Sequence, residues 1–264
     1  NFDLASHKVD GVDSQHLQIE AMKLAFADVY RYVADPRYME VTPEQMLDPA
    51  YLASRAKLID LKKAQNFQAG NPVKGGTIYL TAADENGMMV SFIQSNYQGF
   101  GSGCVEPDFG ISLQNRGFGF STDLRGANPA NLVVPGKRPF HTIIPAFVTQ
   151  DGQPVMSFGV MGANMQPQGH VQTLVRMLDH GQNPQAACDA PRWRFNQGLS
   201  VNAEASMPLA TQQGLAALGH DLTVIDDPYG EFGAGQFIWR LGDARTQGYV
   251  AASDPRRDGQ AAGF

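Results

Sequence analysis

Two apolar runs, Thr77–Ala83 and Met88–Ser95, flank the polar tetrapeptide Asp84-Glu85-Asn86-Gly87. This pattern constrains the fold most, because short apolar runs on either side of a turn signal pair as a β-hairpin rather than coil as helices. A second pair, Thr142–Val148 and Pro154–Val160, flanks Gln150-Asp151-Gly152. Further strands are predicted at Leu199–Ala203, Thr223–Ile225, Gly235–Leu241 and Gly248–Ala252, with a short one at Ile111–Leu113. Among them fall a helix at Gln168–His180 ended by Gly181, a short helix from Asn183-Pro184, and one at Leu209–Leu218. The first part of the chain reads as helical. Ser14 is a cap for a helix running to about Val33, with Leu17, Ala21, Leu24, Ala25 and Val29 on one face. Asp35-Pro36 stops it, and Thr42-Pro43 and Asp48-Pro49 are two further starts. Asn66 to Gly76 is polar and Gly-rich, as an exposed linker is. Hairpins with a few helices predict an α+β layered fold, helices covering packed sheets.

Charge narrows the function classes. A net charge of -6 with no basic run argues against nucleic acid as a partner. No apolar stretch approaches the roughly 20 residues that span a bilayer as a helix. Cys104 and Cys188 have no metal spacing and leave the redox compartment open. The chain starts at Asn1, as expected of part of a longer or processed polypeptide. The six histidines show no His-x-x-x-His pair and no nearby carboxylate partner, so no metal site is expected and no cofactor is implied.

Thr77 follows Gly75-Gly76 at the head of the first hairpin. Cutting the Gly76–Thr77 bond would give Thr77 a hydroxyl nucleophile and a free α-amine. That amine, with a pKa of about 8, can take the hydroxyl proton. The alternative is a Gly-Gly turn feeding an ordinary strand.

The surroundings of Thr77 decide between these. Thr77 with the Asp84–Gly87 turn, Phe100-Gly101-Ser102-Gly103, Gly136-Lys137-Arg138-Pro139, Asp189-Ala190-Pro191-Arg192 and Ala252-Ser253-Asp254-Pro255-Arg256 follow one another in order. From about Ser14 to Phe264 the chain resembles the gamma-glutamyltransferase (gamma-glutamyltranspeptidase) family of N-terminal nucleophile hydrolases. The resemblance implies a four-layer αββα sandwich made by self-cleavage. Residues 1–76 would be the tail of a large subunit and 77–264 the small catalytic subunit. It implies Thr77 as nucleophile, Ser95 as the hydroxyl that hydrogen-bonds it, and Gly162 and Ala163 as backbone donors to the oxyanion. Alanine at the second of these is tolerable unless the position needs a positive φ. The implied partners are a small-molecule amide substrate and the protein's own large-subunit segment.

The chain departs from the family where the γ-glutamyl group is held. The cradle's Asn, Gln and Asp are matched by Tyr97, Arg116 and Gly119, and its paired serines by His141 and Thr142. A substrate ammonium would lose its carboxylate and meet a guanidinium. An acyl group without the amine, ending in a carboxylate that Arg116 pairs with, is the expectation, as in a cephalosporin-acylase-like branch. A γ-glutamyl hydrolase with a rearranged cradle stands beside it. So does a non-catalytic binding or structural relative that does not mature.

Overall fold

The structure is a computed structural model and describes residues 1–67, 76–126 and 128–264. Its elements run α1 (Val12–Tyr32), α2 (Pro43–Met46), α3 (Pro49–Ala56), β1 (Gly76–Ala83), β2 (Met89–Tyr97), β3 (Val105–Glu106), β4 (Ile111–Ser112), β5 (Ala146–Gln150), β6 (Gln153–Met161), α4 (Met165–Leu174), α5 (Pro184–Asp189), β7 (Trp193–Gln197), β8 (Ser200–Glu204), α6 (Leu209–Ala217), β9 (Asp221–Ile225), β10 (Ala234–Arg240) and β11 (Tyr249–Ser253). Most of the expected linker, residues 68–75, lies outside the described residues. The described chain forms two compact units. One holds residues of Asn1–Pro72, Asn115–His141 and Phe195–Ile225; the other those of Val73–Gln114, Thr142–Arg194 and Asp226–Phe264.

In the first unit α1 packs on α6, and the sheet runs β7-β8-β9 with β8 and β9 parallel. The caps at Thr42 and Asp48 form as the sequence indicates: the Thr42 hydroxyl accepts from Gln45 N, and Asp48 accepts from Tyr51 N. Two readings of α1 need correction. The helix starts after Gly11, so Ser14 lies inside it. Its buried face carries Leu17 and Leu24 but also His16, Glu20 and Lys23, while Ala21 and Ala25 are exposed. Small apolar residues gain little from burial, and the polar ones are drawn in by partners described below.

In the second unit the antiparallel sheet runs β11-β10-β6-β5. Helices α4 and α5 pack on it around a core of Met156, Phe158, Val160, Met177, Ala187, Cys188, Phe237 and Ala252. The β1–β2 hairpin packs on β6 and β10. Helix, sheet and hairpin are thus successive α, β and β layers. Alternation along the hairpin sets its two faces. Thr77 and Tyr79 are buried, whereas Ile78, Leu80, Val90 and Phe92 are exposed. Gly159 permits the close approach of the layers, because a Cβ there would lie 2.5 Å from the Tyr79 ring. Boundaries differ from expectation at β5, which starts at Ala146, and at α4, which starts at Met165 and widens over Val175–Asp179 into a turn closed by His180 N to Val175 O. Strand β7 was not expected at all.

Candidate active site

Thr77 occupies an irregular point in the hairpin. Gly76 pairs with Tyr97 and Ile78 with Gln94, so Thr77 alone faces both Ser95 and Asn96. Such a bulge bends the strand and re-aims its side chains. The Thr77 hydroxyl donates to Ser95 Oγ at 3.0 Å. The same oxygen accepts the backbone N–H of Tyr97 at 2.9 Å. Tyr97 does this with φ of 77°, a left-handed conformation that costs a non-glycine residue about 1–2 kcal/mol. Backbone strain therefore sits directly opposite the Gly76–Thr77 bond.

The packing of β1 on β6 locates a second element. Thr81 Oγ1 bonds Ser157 Oγ, and Tyr79 lies against Gly159. The packing therefore runs from Thr81 and Ser157 toward the start of β1 and the end of β6 at Met161. Gly162 and Ala163 follow, with φ of 129° and 52°. Their carbonyls accept from Met165 and Gln166 at the head of α4. Among the described residues neither Gly162 N–H nor Ala163 N–H has a backbone partner. Two amide donors without a backbone partner, at the end of the strand on which β1 packs, are of the kind that can stabilise an oxyanion.

The positive φ at Ala163 is the case in which alanine is strained. Ala163→Gly is expected to stabilise the protein by about 0.5–1 kcal/mol, relief of left-handed strain outweighing glycine's entropy cost. Urea denaturation of the two proteins checks this; an unchanged or lower midpoint contradicts it.

Arg116, His141 and Thr142 lie on another part of the chain. Arg116 opens a short 3-10 turn, Arg116–Gly119, and is 2% exposed. Such burial is not that of a surface arginine. Partial desolvation, and then the Arg116 charge, hold the His141 imidazole below its ordinary pKa. Thr142 follows and is buried. Gly119, where the family has Asp, faces the Phe140 carbonyl; a Cβ there would stand 3.1 Å from that oxygen. A side chain there would crowd that oxygen by a few tenths of an ångström.

One cluster escaped the sequence reading and corrects it. His16 has a carboxylate one helical turn away, Glu20, and His220 joins them; their candidate ligand atoms lie within 4.8 Å of one another. The His16–Glu20 spacing was a visible signal, but His220 is far along the chain. The hydrogen bonds fix what the cluster does. His16 Nε2 meets Asp60 O at 2.9 Å, and His16 Nδ1 meets His220 Nε2 at 2.8 Å. Lys23 Nζ reaches His220 Nδ1 at 3.3 Å, Glu20 Oε1 at 2.7 Å and Gln65 O at 3.1 Å. Gln65 N donates to Glu20 Oε2. Because Asp60 O only accepts and Lys23 only donates, both histidines are neutral with the proton on Nε2. Burial, then Lys23 and His16, lower His220 to about 3, consistent with that state. Lys23 thus bonds two of the three residues of the cluster, Glu20 and His220.

The comparisons with known proteins bear on the whole chain. Residues 1–264 match the family described as Gamma-glutamyltranspeptidase. The chain belongs to the gamma-glutamyltranspeptidase family. It is 36% identical over 262 residues to the oxamate amidohydrolase proenzyme of Klebsiella pneumoniae subsp. pneumoniae, covering 97% of this chain and 48% of that protein. It is 35% identical over 271 residues to the glutathione hydrolase-like YwrD proenzyme of Bacillus subtilis, covering 100% and 50%. Among solved structures, the cephalosporin acylase from Bacillus halodurans superposes with a TM-score of 0.89 at 48% identity, over 97% of this chain and 46% of that one. The chain therefore spans about half the length of these gamma-glutamyltranspeptidase relatives. The fold is the α+β sandwich of N-terminal nucleophile hydrolases.

Proposed function

We propose that the full-length protein is a self-processing amidohydrolase and acyltransferase of gamma-glutamyltranspeptidase type, with an acyl substrate that carries a carboxylate and no α-amine. The observation that carries the first part is the Thr77–Ser95 hydrogen bond at the bulge beside Gly76. Thr77 Oγ1 attacks the Gly76 carbonyl, passing its proton to the departing Thr77 nitrogen. The product is an ester at Oγ1 and a free α-amine. Water hydrolyses the ester, leaving a Gly76 carboxylate and the Thr77 hydroxyl. Residues 1–76 then end the large subunit and 77–264 form the small one. In turnover the Thr77 amine takes the hydroxyl proton as Oγ1 attacks the substrate amide, and gives it to the leaving amine. Ser95 orients the hydroxyl, and the N–H groups of Gly162 and Ala163 receive the oxyanion. Water or an acceptor amine releases the acyl group.

Arg116, His141, Thr142 and Tyr97 are assigned to the acyl pocket. A buried guanidinium whose charge also keeps the His141 pKa low favours a carboxylate and disfavours an ammonium. Gly119 offers no acidic partner for an amine, and a side chain there would crowd Phe140 O. The name of one relative, oxamate amidohydrolase, describes a substrate whose acyl part bears a carboxylate and no ammonium. The name of another, glutathione hydrolase-like, favours a γ-glutamyl substrate instead. Rates on glutaryl and γ-glutamyl anilides and on oxamate, with the full-length protein, decide between them. The expected kcat/KM is at least about tenfold higher for glutaryl anilide or oxamate than for γ-glutamyl anilide, a difference of about 1.4 kcal/mol. A preference for γ-glutamyl anilide reverses the assignment, and a chain that neither cleaves itself nor turns over any of them is a non-catalytic relative.

A further inference from the structure

Between Arg116 and His141 the chain makes a long excursion, and one buried side chain joins its two ends. Asn131 Nδ2 donates to Gly119 O at 2.6 Å, and Asn131 Oδ1 accepts from Phe140 N at 3.1 Å. The amide orientation is not arbitrary: Gly119 O can only accept and Phe140 N can only donate, so a flipped amide loses both bonds. Asn131 is itself fixed, since its carbonyl accepts from Ser121 N at 2.9 Å and Ser121 O accepts from Val133 N.

We propose that Asn131 is a positioning residue that sets the distance between Arg116 and His141 and so shapes the acyl pocket. The inference rests on the carboxylate-acyl reading above for its functional meaning, though the clasp stands on geometry alone. Gly119 is three residues from Arg116 and Phe140 is next to His141, so each bond acts close to a pocket residue. The Phe140 arm is anchored independently. Asp35 Oδ2 accepts from Arg138 N at 3.0 Å, Arg37 Nη2 donates to Gly136 O at 2.9 Å, and the Phe140 ring lies 6.3 Å from that of Tyr30. Asn131 transmits this anchorage to the turn that carries Arg116. Aspartate at 131 can still accept from Phe140 N but cannot donate to Gly119 O, and alanine can do neither.

The test uses the full-length protein with Asn131→Ala and Asn131→Asp. Three readouts are compared with wild type: self-cleavage before Thr77, the kinetics of a glutaryl anilide against its neutral carboxamide analogue, and the His141 titration followed by NMR. The expected result for Asn131→Ala is self-cleavage within about twofold of wild type and a KM for the glutaryl substrate raised about tenfold or more, with a smaller change for the neutral analogue. The His141 pKa should rise as Arg116 moves off. Asn131→Asp should fall between the two proteins, since it keeps one bond. A parallel loss of self-cleavage and of both substrates would mean that Asn131 only stabilises the fold, and overturns the proposal. If wild type shows no preference for the carboxylate, the substrate reading fails and the His141 titration alone decides the clasp. A His141 pKa unmoved in both variants overturns it.

Discussion

Thr77→Ala is expected to leave the full-length chain whole at Gly76–Thr77 and to lower amide turnover by at least about 10³-fold, with a stability change of only about 1 kcal/mol. The separation of these effects is the point. The described bond of the Thr77 hydroxyl is the one to Ser95, and losing a single bond between neutral groups costs little. Both proposed reactions, by contrast, need that oxygen as the attacking atom. Thr77→Ser keeps the oxygen and should retain self-cleavage. Ser95→Ala keeps the nucleophile but removes the acceptor that fixes its rotamer and one acceptor of Tyr97 N–H, so cleavage should slow by about 10–100-fold rather than stop. Intact mass over time, with anilide turnover, reads all three proteins. A Thr77→Ala chain that still splits before residue 77 removes Thr77 from the mechanism.

The hairpin holding Thr77 was legible because alternation and a polar turn are local signals. The bulge was not, because register depends on which β2 residue meets which β1 residue. The strain at Tyr97 and Ala163 was equally invisible: neither residue type advertises a positive φ, and the resemblance gave Ala163 a role without its conformation. Strand β7 was missed since Trp193, Arg194 and Phe195 are all buried, so no alternation marks it. Arg194 is accommodated there by Glu231, 2.8 Å away and distant in sequence. In α1 the same cause misplaced the buried face, because His220 and Gln65 make a home for charges that periodicity assigns to solvent. The role at Ser95 came from family likeness, and its bonds with Thr77 and Tyr97 then gave it neighbours; that of Arg116 was argued from its charge at a position where the chain departs from the family. Asn131 had no sequence signal, since its partners are two backbone groups.

Asp254→Asn is expected to destabilise the protein by about 3–5 kcal/mol, because it removes the charge between two buried arginines. Asp254 Oδ2 accepts from Arg192 Nη2 at 2.7 Å and Gly235 N at 2.8 Å, and Oδ1 accepts from Arg256 N at 3.0 Å and Nη1 at 3.1 Å. Burial pushes the Asp254 carboxyl up, but Arg192, Arg256 and the two N–H bonds outweigh it and hold the group below its ordinary value. A folded-state pKa below the unfolded one stabilises above about pH 4 and is lost as pH falls through the folded value. The difference between wild type and variant should therefore be flat above about pH 5 and shrink in acid. The network also reaches the proposed oxyanion loop. Arg192 Nη1 donates to Phe232 O and Asp254 holds Gly235 N, while Gly233 between them packs so closely that a Cβ on Gly162 would lie 3.1 Å from its Cα. Loosening the anchor should thus slow self-cleavage in the fraction that remains folded. Urea unfolding of the full-length protein across pH, with cleavage measured below the transition, tests both parts; a loss under about 1 kcal/mol at neutral pH would mean the arginines find other partners and Asp254 is not their keystone.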